Sequence, residues 1–182
     1  TNTMKNITLT ILAAACGTSA AFAGPVGAPM DTKNPILAIP CYQAGELVVK
    51  PFFNITIFDE IGDHYWDDDT FYGGGVALDY YVTDRIGVGF EGSWIDTPSV
   101  IHGYNVNLTY RLTDPMNCFS AYVLGGGGVY TNGETVGAAH VGGGVEYRFT
   151  DTLGLFADGR YGWLDGGDIT ATTVRIGLSI KL

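Results

Sequence analysis

The chain has 182 residues and a formal net charge of −10, with 9 Lys and Arg against 19 Asp and Glu. That balance, without a basic patch, excludes a nucleic-acid partner, because a phosphate backbone is gripped by Lys and Arg that displace its counterions. Glycine is abundant at 27 residues and aromatics make up 13%, a pairing expected where small residues let strands curve and large rings sit at an interface.

Residues 1–23 read as a secretory signal. Lys5 is followed by an apolar run over 7–15 and by small residues ending Ala21-Phe22-Ala23, the charged, apolar and A-x-A order of an export signal. Cleavage after Ala23 is expected, and the loss of Lys5 takes the net charge from −10 to −11. A membrane-spanning helix fits less well, because Thr8, Thr10, Gly17 and Thr18 interrupt the stretch. A lipoprotein reading at Cys16 leaves too short an apolar run and puts Ala13 where a leucine usually sits.

Residues 24–45 are rich in Pro and small residues without a sustained period, and read as a periplasmic arm. The barrel is expected over 46–182. Over 46–58, Leu47, Val49, Phe53, Ile55 and Ile57 alternate with Val48, Lys50, Phe52, Asn54 and Thr56, with Pro51 as an interruption. An acidic loop follows over 59–70. The second strand, 71–82, turns Tyr72, Val76, Leu78, Tyr80 and Val82 outward, and the third, 86–96, does so with Ile86, Val88, Phe90 and Trp94. The fourth is the most regular, setting Val100, Tyr104, Val106, Leu108, Tyr110 and Leu112 against Gly103, Asn105, Asn107, Thr109 and Arg111. The fifth, 119–130, is apolar on both faces around Gly125-Gly126-Gly127-Gly128, so its facing stays open.

The sixth and seventh strands form a hairpin about Thr150-Asp151-Thr152. Ala139, Val141, Val145, Tyr147 and Phe149 share a face with Leu153, Leu155, Ala157, Tyr161 and Trp163, so aromatics close both ends of the apolar band as girdles do. The last strand, 171–182, sets Val174, Ile176, Leu178, Ile180 and Leu182 against Thr173, Arg175, Gly177, Ser179 and Lys181. Thr83-Asp84, Thr113-Asp114 and Thr150-Asp151 each follow an aromatic and an apolar residue, as turns of one repeated hairpin unit. The result is an all-β, eight-stranded antiparallel up-and-down transmembrane β-barrel, its strands near the nine to eleven residues that a tilted crossing needs.

The inward face collects Lys50, Asp79, Glu91, Arg111, Glu146, Arg148, Asp158, Arg160, Arg175 and Lys181. A soluble, lipocalin-like periplasmic barrel, the rival fold, would carry grease there. Charges in so narrow an interior are costly unless paired, so a network of salt bridges and hydrogen bonds is expected. Export permits disulfides. Cys41 precedes the first strand and Cys118 follows the Thr113-Asp114-Pro115 turn, which puts both at one end of the barrel, where a bridge would tie the arm across the opening.

The segment VGGGVEYRFTDTLGLFADGRYGW, the last strand VRIGLSIKL and the short Thr-Asp turns resemble the small outer-membrane β-barrels of the OmpA transmembrane domain and OmpX type, over nearly all of 46–182. The resemblance implies an outer-membrane location, outer-membrane lipid and lipopolysaccharide as surroundings, and insertion by the barrel-assembly machinery. It departs at Leu182, where the family usually carries an aromatic. Its motifs specify architecture more than activity; with catalysis and an open channel disfavoured by the residues and the strand number, a structural, envelope-integrity or surface-interaction role without cofactor is the remaining expectation.

Sites of chemistry are sparse. Gly87-Val88-Gly89-Phe90-Glu91-Gly92 matches G-x-G-x-x-G by letter but lacks the helix that would present amides to a pyrophosphate. Asp59, Glu60, Asp63, Asp67, Asp68 and Asp69 are dense enough to hold a cation, yet their spacing departs from D-x-[DN]-x-[DN]-G, so a solvated loop is the better reading and no resident metal is expected. Lipid A-modifying enzymes share the architecture, but His64, His102 and His140 form no Ser/His/acid set by spacing. Eight strands enclose only their own side chains, which argues against an open solute channel. An extracellular partner would meet the loops at 59–70, 131–135 and 164–170.

Overall fold

The computed structural model describes residues 40–60, 70–164 and 169–182. Eight strands follow in chain order: β1 (Leu47–Glu60), β2 (Thr70–Tyr81), β3 (Ile86–Asp96), β4 (Ile101–Arg111), β5 (Phe119–Thr131), β6 (Thr135–Arg148), β7 (Leu153–Leu164) and β8 (Ile169–Lys181). Each pairs antiparallel with its neighbour, and β8 returns to β1 to close the barrel. Closure leaves no free sheet edge, the condition for backbone polar groups to lie in an apolar medium.

The period of two sorts the side chains. Outside lie Val76, Leu78, Val88, Phe90, Val106, Leu108, Val141, Leu155, Val174 and Ile176, all exposed. Tyr80, Tyr110, Phe119, Tyr147 and Phe149 ring the short-turn end, and Tyr72, Trp94, Tyr104, Tyr161 and Trp163 ring the other. The apolar core that a soluble barrel needs is reduced, among the described residues, to one cluster of Phe52, Ala77 and Phe156.

Two of the repeated turns work through threonine rather than aspartate. The Thr83 hydroxyl accepts from the N–H of Arg85 and of Ile86 at 3.2 and 2.8 Å, and that of Thr150 accepts from Thr152 and Leu153 at 3.3 and 2.9 Å. The β4–β5 turn is longer and uses Asp114, whose carboxylate accepts from the Met116 N–H at 2.9 Å. Both are side-chain substitutes for a backbone turn bond.

The structure corrects the sequence reading in three places. Pro51 does not interrupt β1; it pairs with Val76 of β2, while the β1–β8 register passes over Lys50 and Pro51 between Val49↔Ile180 and Phe52↔Gly177. A proline has no N–H to give, so the ladder gives way there and the strand continues. Asp59 and Glu60 belong to β1, paired with Thr170 and Ile169, because alternation stops being visible before the ladder does. The loop at 131–135 shrinks to three residues between the paired Thr131 and Thr135, and of the loop at 164–170, Leu164 belongs to β7 and Ile169 and Thr170 to β8. The facing of β5 is also defined: Ser120, Tyr122 and Leu124 are buried inside, with Phe119, Val123 and Val129 outside.

Candidate functional site

The barrel interior is where the unusual side chains converge. Lys50, Asp79, Glu91, Arg111, Glu146, Arg148, Asp158, Arg160 and Arg175 are all buried within it, and the Lys181 side chain, at the short-turn mouth, is 25% exposed. Glu46 joins them from just before β1, at 3% exposure. Six cations therefore face five carboxylates, Glu46, Asp79, Glu91, Glu146 and Asp158.

At the short-turn end Glu46 is the hub. Arg148 donates to both of its oxygens, Nη1 to Oε1 at 2.9 Å and Nη2 to Oε2 at 2.8 Å. Lys181 Nζ lies 3.1 Å and Arg111 Nη2 3.6 Å from the same carboxylate, and the Gln43 N–H donates to Oε1 at 2.9 Å. Burial pulls the Glu46 carboxyl up, but Arg148, Lys181 and Arg111 outweigh it and hold the group below the usual carboxylate range. Tyr42, 1% exposed, stands with its ring 4.2 Å from the Arg111 guanidinium carbon and 4.3 Å from that of Arg148. Its hydroxyl faces the carbonyls of Cys118 and Glu146, each at 3.2 Å. Burial first, and then the Glu146 charge, push that phenol above its ordinary value.

A second cluster sits deeper. Lys50 Nζ bridges Asp79 and Glu146 at 3.0 and 3.2 Å, with the Ser179 hydroxyl and Arg148 Nε on the other Glu146 oxygen at 2.9 and 3.2 Å. Asp79 can lie flat toward Lys50 because Gly89 faces it across the β2–β3 ladder; a Cβ there would meet Asp79 Oδ1. The rings of Tyr81, Tyr122 and Phe156 stand 5.9, 5.5 and 5.4 Å from the ammonium, so the charge is enclosed in aromatic faces.

The third cluster holds Arg175 between two carboxylates. Its Nε and Nη2 bond both oxygens of Asp158, the former at 2.8 Å, and its Nη1 bonds Glu91 at 2.6 Å. Arg160 Nη1 meets the same Glu91 oxygen at 3.0 Å, and Tyr122 donates to Asp158 at 3.0 Å. His140 lies 2.7 Å from Asn107 Oδ1 and 3.5 Å from Arg160 Nη1. Gly126 leaves the space for that pair, since a Cβ would press on Asn107 Oδ1 and His140 Nε2. Toward the long-loop end lies a cavity of about 30 Å³ lined by Asn54, Thr56, Ser93, Tyr130 and Thr173 above Glu91, Arg160 and Arg175. That is room for roughly two waters.

The remaining candidates fall elsewhere. Cys41 and Cys118 are joined in a disulfide with Cα atoms 5.1 Å apart. His102 is outside, paired in register with Trp94, and His140 is held by Asn107 and Arg160. Gly87, Gly89 and Gly92 are strand residues of β3. Of the acidic group, Asp59 and Glu60 end β1, while Asp63, Asp67, Asp68 and Asp69, with His64, lie outside the described residues. Among the described residues no three His, Cys, Asp or Glu side chains converge as a metal site would require. Tyr42 is the participant that alternation misses, because it precedes the first strand, and an aromatic beside Cys41 is the one signal that points to it; Glu46, at the start of the expected strand, shares the parity of Val48, Lys50 and Phe52 but is absent from the charges expected inside.

With charge inside and an aromatic-bounded apolar belt outside, the geometry is that of a lipid-exposed barrel. The chain has the fold of the small outer-membrane β-barrels. It is similar to the N-terminal β-barrel domain of Pseudomonas aeruginosa OprF, with a TM-score of 0.59 at 14% identity over 77% of this chain and 99% of that one. Neisserial surface protein A gives 0.56 at 13% identity over 75% and 97%. Ail, the attachment invasion locus protein of Yersinia pestis, gives 0.53 at 15% identity over 76% and 99%. No protein-family model and no curated protein sequence matches the chain.

Proposed function

We propose that this chain is a non-enzymatic outer-membrane β-barrel protein whose filled interior passes no solutes and whose role is envelope integrity or surface interaction. The observation that carries the reading is the inversion of the barrel: paired charge within, branched and aromatic side chains without. Similarity in fold to OprF, neisserial surface protein A and Ail supports the location. Exclusion of solutes rests on the stacked clusters, each of which crosses a lumen only a few side chains wide.

Surface interaction would run through the β1–β2, β5–β6 and β7–β8 loops with the strand ends that flank them, residues 59–70, 131–135 and 164–170. Those loops contain nine Asp and Glu and no Lys or Arg. A neighbour in fold, Ail, takes the heparin analogue sucrose octasulfate; the acidic composition here favours a cationic partner, or none, over a sulfated one.

Electrophoresis in SDS, boiled against unboiled, joined to fractionation of the envelope, tests the reading. A heat-dependent mobility shift from protein in the outer-membrane fraction is expected, with reconstituted vesicles that do not swell in sugar. Recovery in the soluble periplasm without a shift overturns the location, and rapid swelling overturns the filled interior.

A further inference from the structure

The short-turn mouth is crossed by a piece of chain that is no part of the barrel wall. Residues 40–45 precede β1 and are held by a covalent bond and by hydrogen bonds, among them Arg148 Nη1 to the Cys41 carbonyl at 2.6 Å. Cys41 is bonded to Cys118, just before β5. Tyr42 inserts its ring between Arg111 and Arg148, and its N–H donates to the Pro115 carbonyl at 3.2 Å. The Gly45 N–H donates to the Tyr81 carbonyl at 2.7 Å, with φ of 82° at Gly45. That is a left-handed conformation natural to glycine and suited to a change of direction where arm meets strand.

Beneath this segment Arg111 is 2% exposed, and its Nη2 makes no hydrogen bond. What encloses the guanidinium is a pair of rings, Tyr81 at 3.4 Å on the wall and Tyr42 at 4.2 Å on the arm. Removing Tyr42 would therefore open Arg111 to water. Cys41 and Cys118 are themselves only half-buried, within reach of an attacking thiolate.

We propose that residues 40–45 are a disulfide-latched stopper, hinged at Gly45, which seals the short-turn mouth while oxidised and swings away when reduced. A dithiol reductant supplies two electrons and two protons; the Cys41–Cys118 bond becomes two thiols and the reductant leaves as its own disulfide. Without the latch, Tyr42 is held by non-covalent contacts alone, and the seal becomes a local equilibrium rather than a covalent one. The proposal rests on the barrel fold and not on the compartment in which the barrel sits.

Labelling of arginines by phenylglyoxal, mapped by mass spectrometry on the folded protein in detergent micelles, tests it. Arg85, half-buried in an open turn, serves as the reactive reference, and Arg175, paired deep in the lumen, as the protected one. In the oxidised protein only Arg85 is expected to react. Reduction of the folded barrel, which needs no refolding, is expected to bring Arg111 toward the rate of Arg85 while Arg175 stays protected. The Cys41→Ser variant is expected to behave as the reduced protein without any reductant. Arg111 that stays protected after reduction, with the thiols shown free by alkylation, overturns the latch. Arg111 that reacts equally in the oxidised protein overturns the seal, and simultaneous labelling of Arg175 overturns the local opening, since the barrel itself would then have come apart.

Discussion

The two halves of the barrel interior solve the same problem differently. At the short-turn end every large polar side chain is matched or stacked, and the arm adds Tyr42, Glu46 and a covalent bond. At the long-loop end the wall supplies short amides and hydroxyls: Asn54, Thr56, Thr173 and Ser93 line a cavity, and Asn105 lies buried across the ladder from Glu91. There the Asn54 Oδ1 atom and both Asn105 side-chain atoms lack a protein partner. A narrow lumen tolerates charge when each group is compensated, whereas small neutral polar groups can be left to water at little cost. The short-turn end is thus closed by specific pairs and stacks, while the long-loop end leaves neutral polar groups without protein partners beside the Arg175 cluster.

Removing a member of a pair should hurt most where one cation serves two carboxylates. Arg175→Met leaves Glu91 with Arg160 as its cation and the Asn107 amide at 3.3 Å, and Asp158 with the Tyr122 hydroxyl and Arg160 Nε at 3.5 Å. A loss of about 3–5 kcal/mol is expected for an uncompensated buried charge, read as a lower urea midpoint for unfolding from lipid vesicles. A loss under about 1 kcal/mol would mean that water already screens this cluster, and the contrast between the halves would fail.

Next in size is the latch. Replacing Cys41 and Cys118 together by serine frees a crosslink spanning 77 residues and is expected to cost about 2–4 kcal/mol, measured in the same unfolding assay. Glu46→Gln is expected to cost about 1.5–3 kcal/mol at neutral pH, the range for a charge-assisted hydrogen bond. Combined with the cysteine change it should cost less than the sum, because Arg148 Nη1 donates both to Glu46 and to the Cys41 carbonyl.

The same carboxyl sets a pH dependence. Its folded value lies below the ordinary one, so its contribution is fully present above the unfolded pKa, near 4.3, and is lost as pH falls through the folded value. The wild-type protein should therefore lose stability on acidification below about pH 4.3 more steeply than Glu46→Gln. Parallel curves for the two would show that Glu46 is not held as an anion.

How far all this can be read from sequence differs by level. Strict alternation along Tyr104–Val106–Leu108–Tyr110 against Asn105–Asn107–Thr109–Arg111 separates the faces of β4 without any structure, because a strand has a period of two and one face meets an apolar medium. β5 hides its faces, since four consecutive glycines carry no polarity to alternate. The partners within the lumen are legible nowhere in the chain: Glu46 meets Arg148 at a separation of 102 residues and Glu91 meets Arg175 at 84. Those meetings depend on strand stagger around the closed barrel, which no local pattern encodes. The bridge that ties the arm across the mouth follows from the placement of Cys41 and Cys118, but the insertion of Tyr42 is hidden for the opposite reason, because it sits in a segment with no period at all.

The smallest effect is the sharpest discriminator between the halves. Asn105 is 1% exposed and neither of its side-chain polar atoms finds a protein partner. Asn105→Leu keeps the branching at Cγ and removes two groups whose desolvation is uncompensated, so stability within about 1 kcal/mol of wild type is expected. If the amide instead anchors ordered water that the rest of the long-loop half depends on, the loss should approach that of a buried hydrogen-bond network, upward of about 2 kcal/mol. Parity would leave hydration there as filler that a methyl group replaces. A large loss would make water a structural member of the lumen, matching by solvent what the short-turn half achieves with arginine and tyrosine.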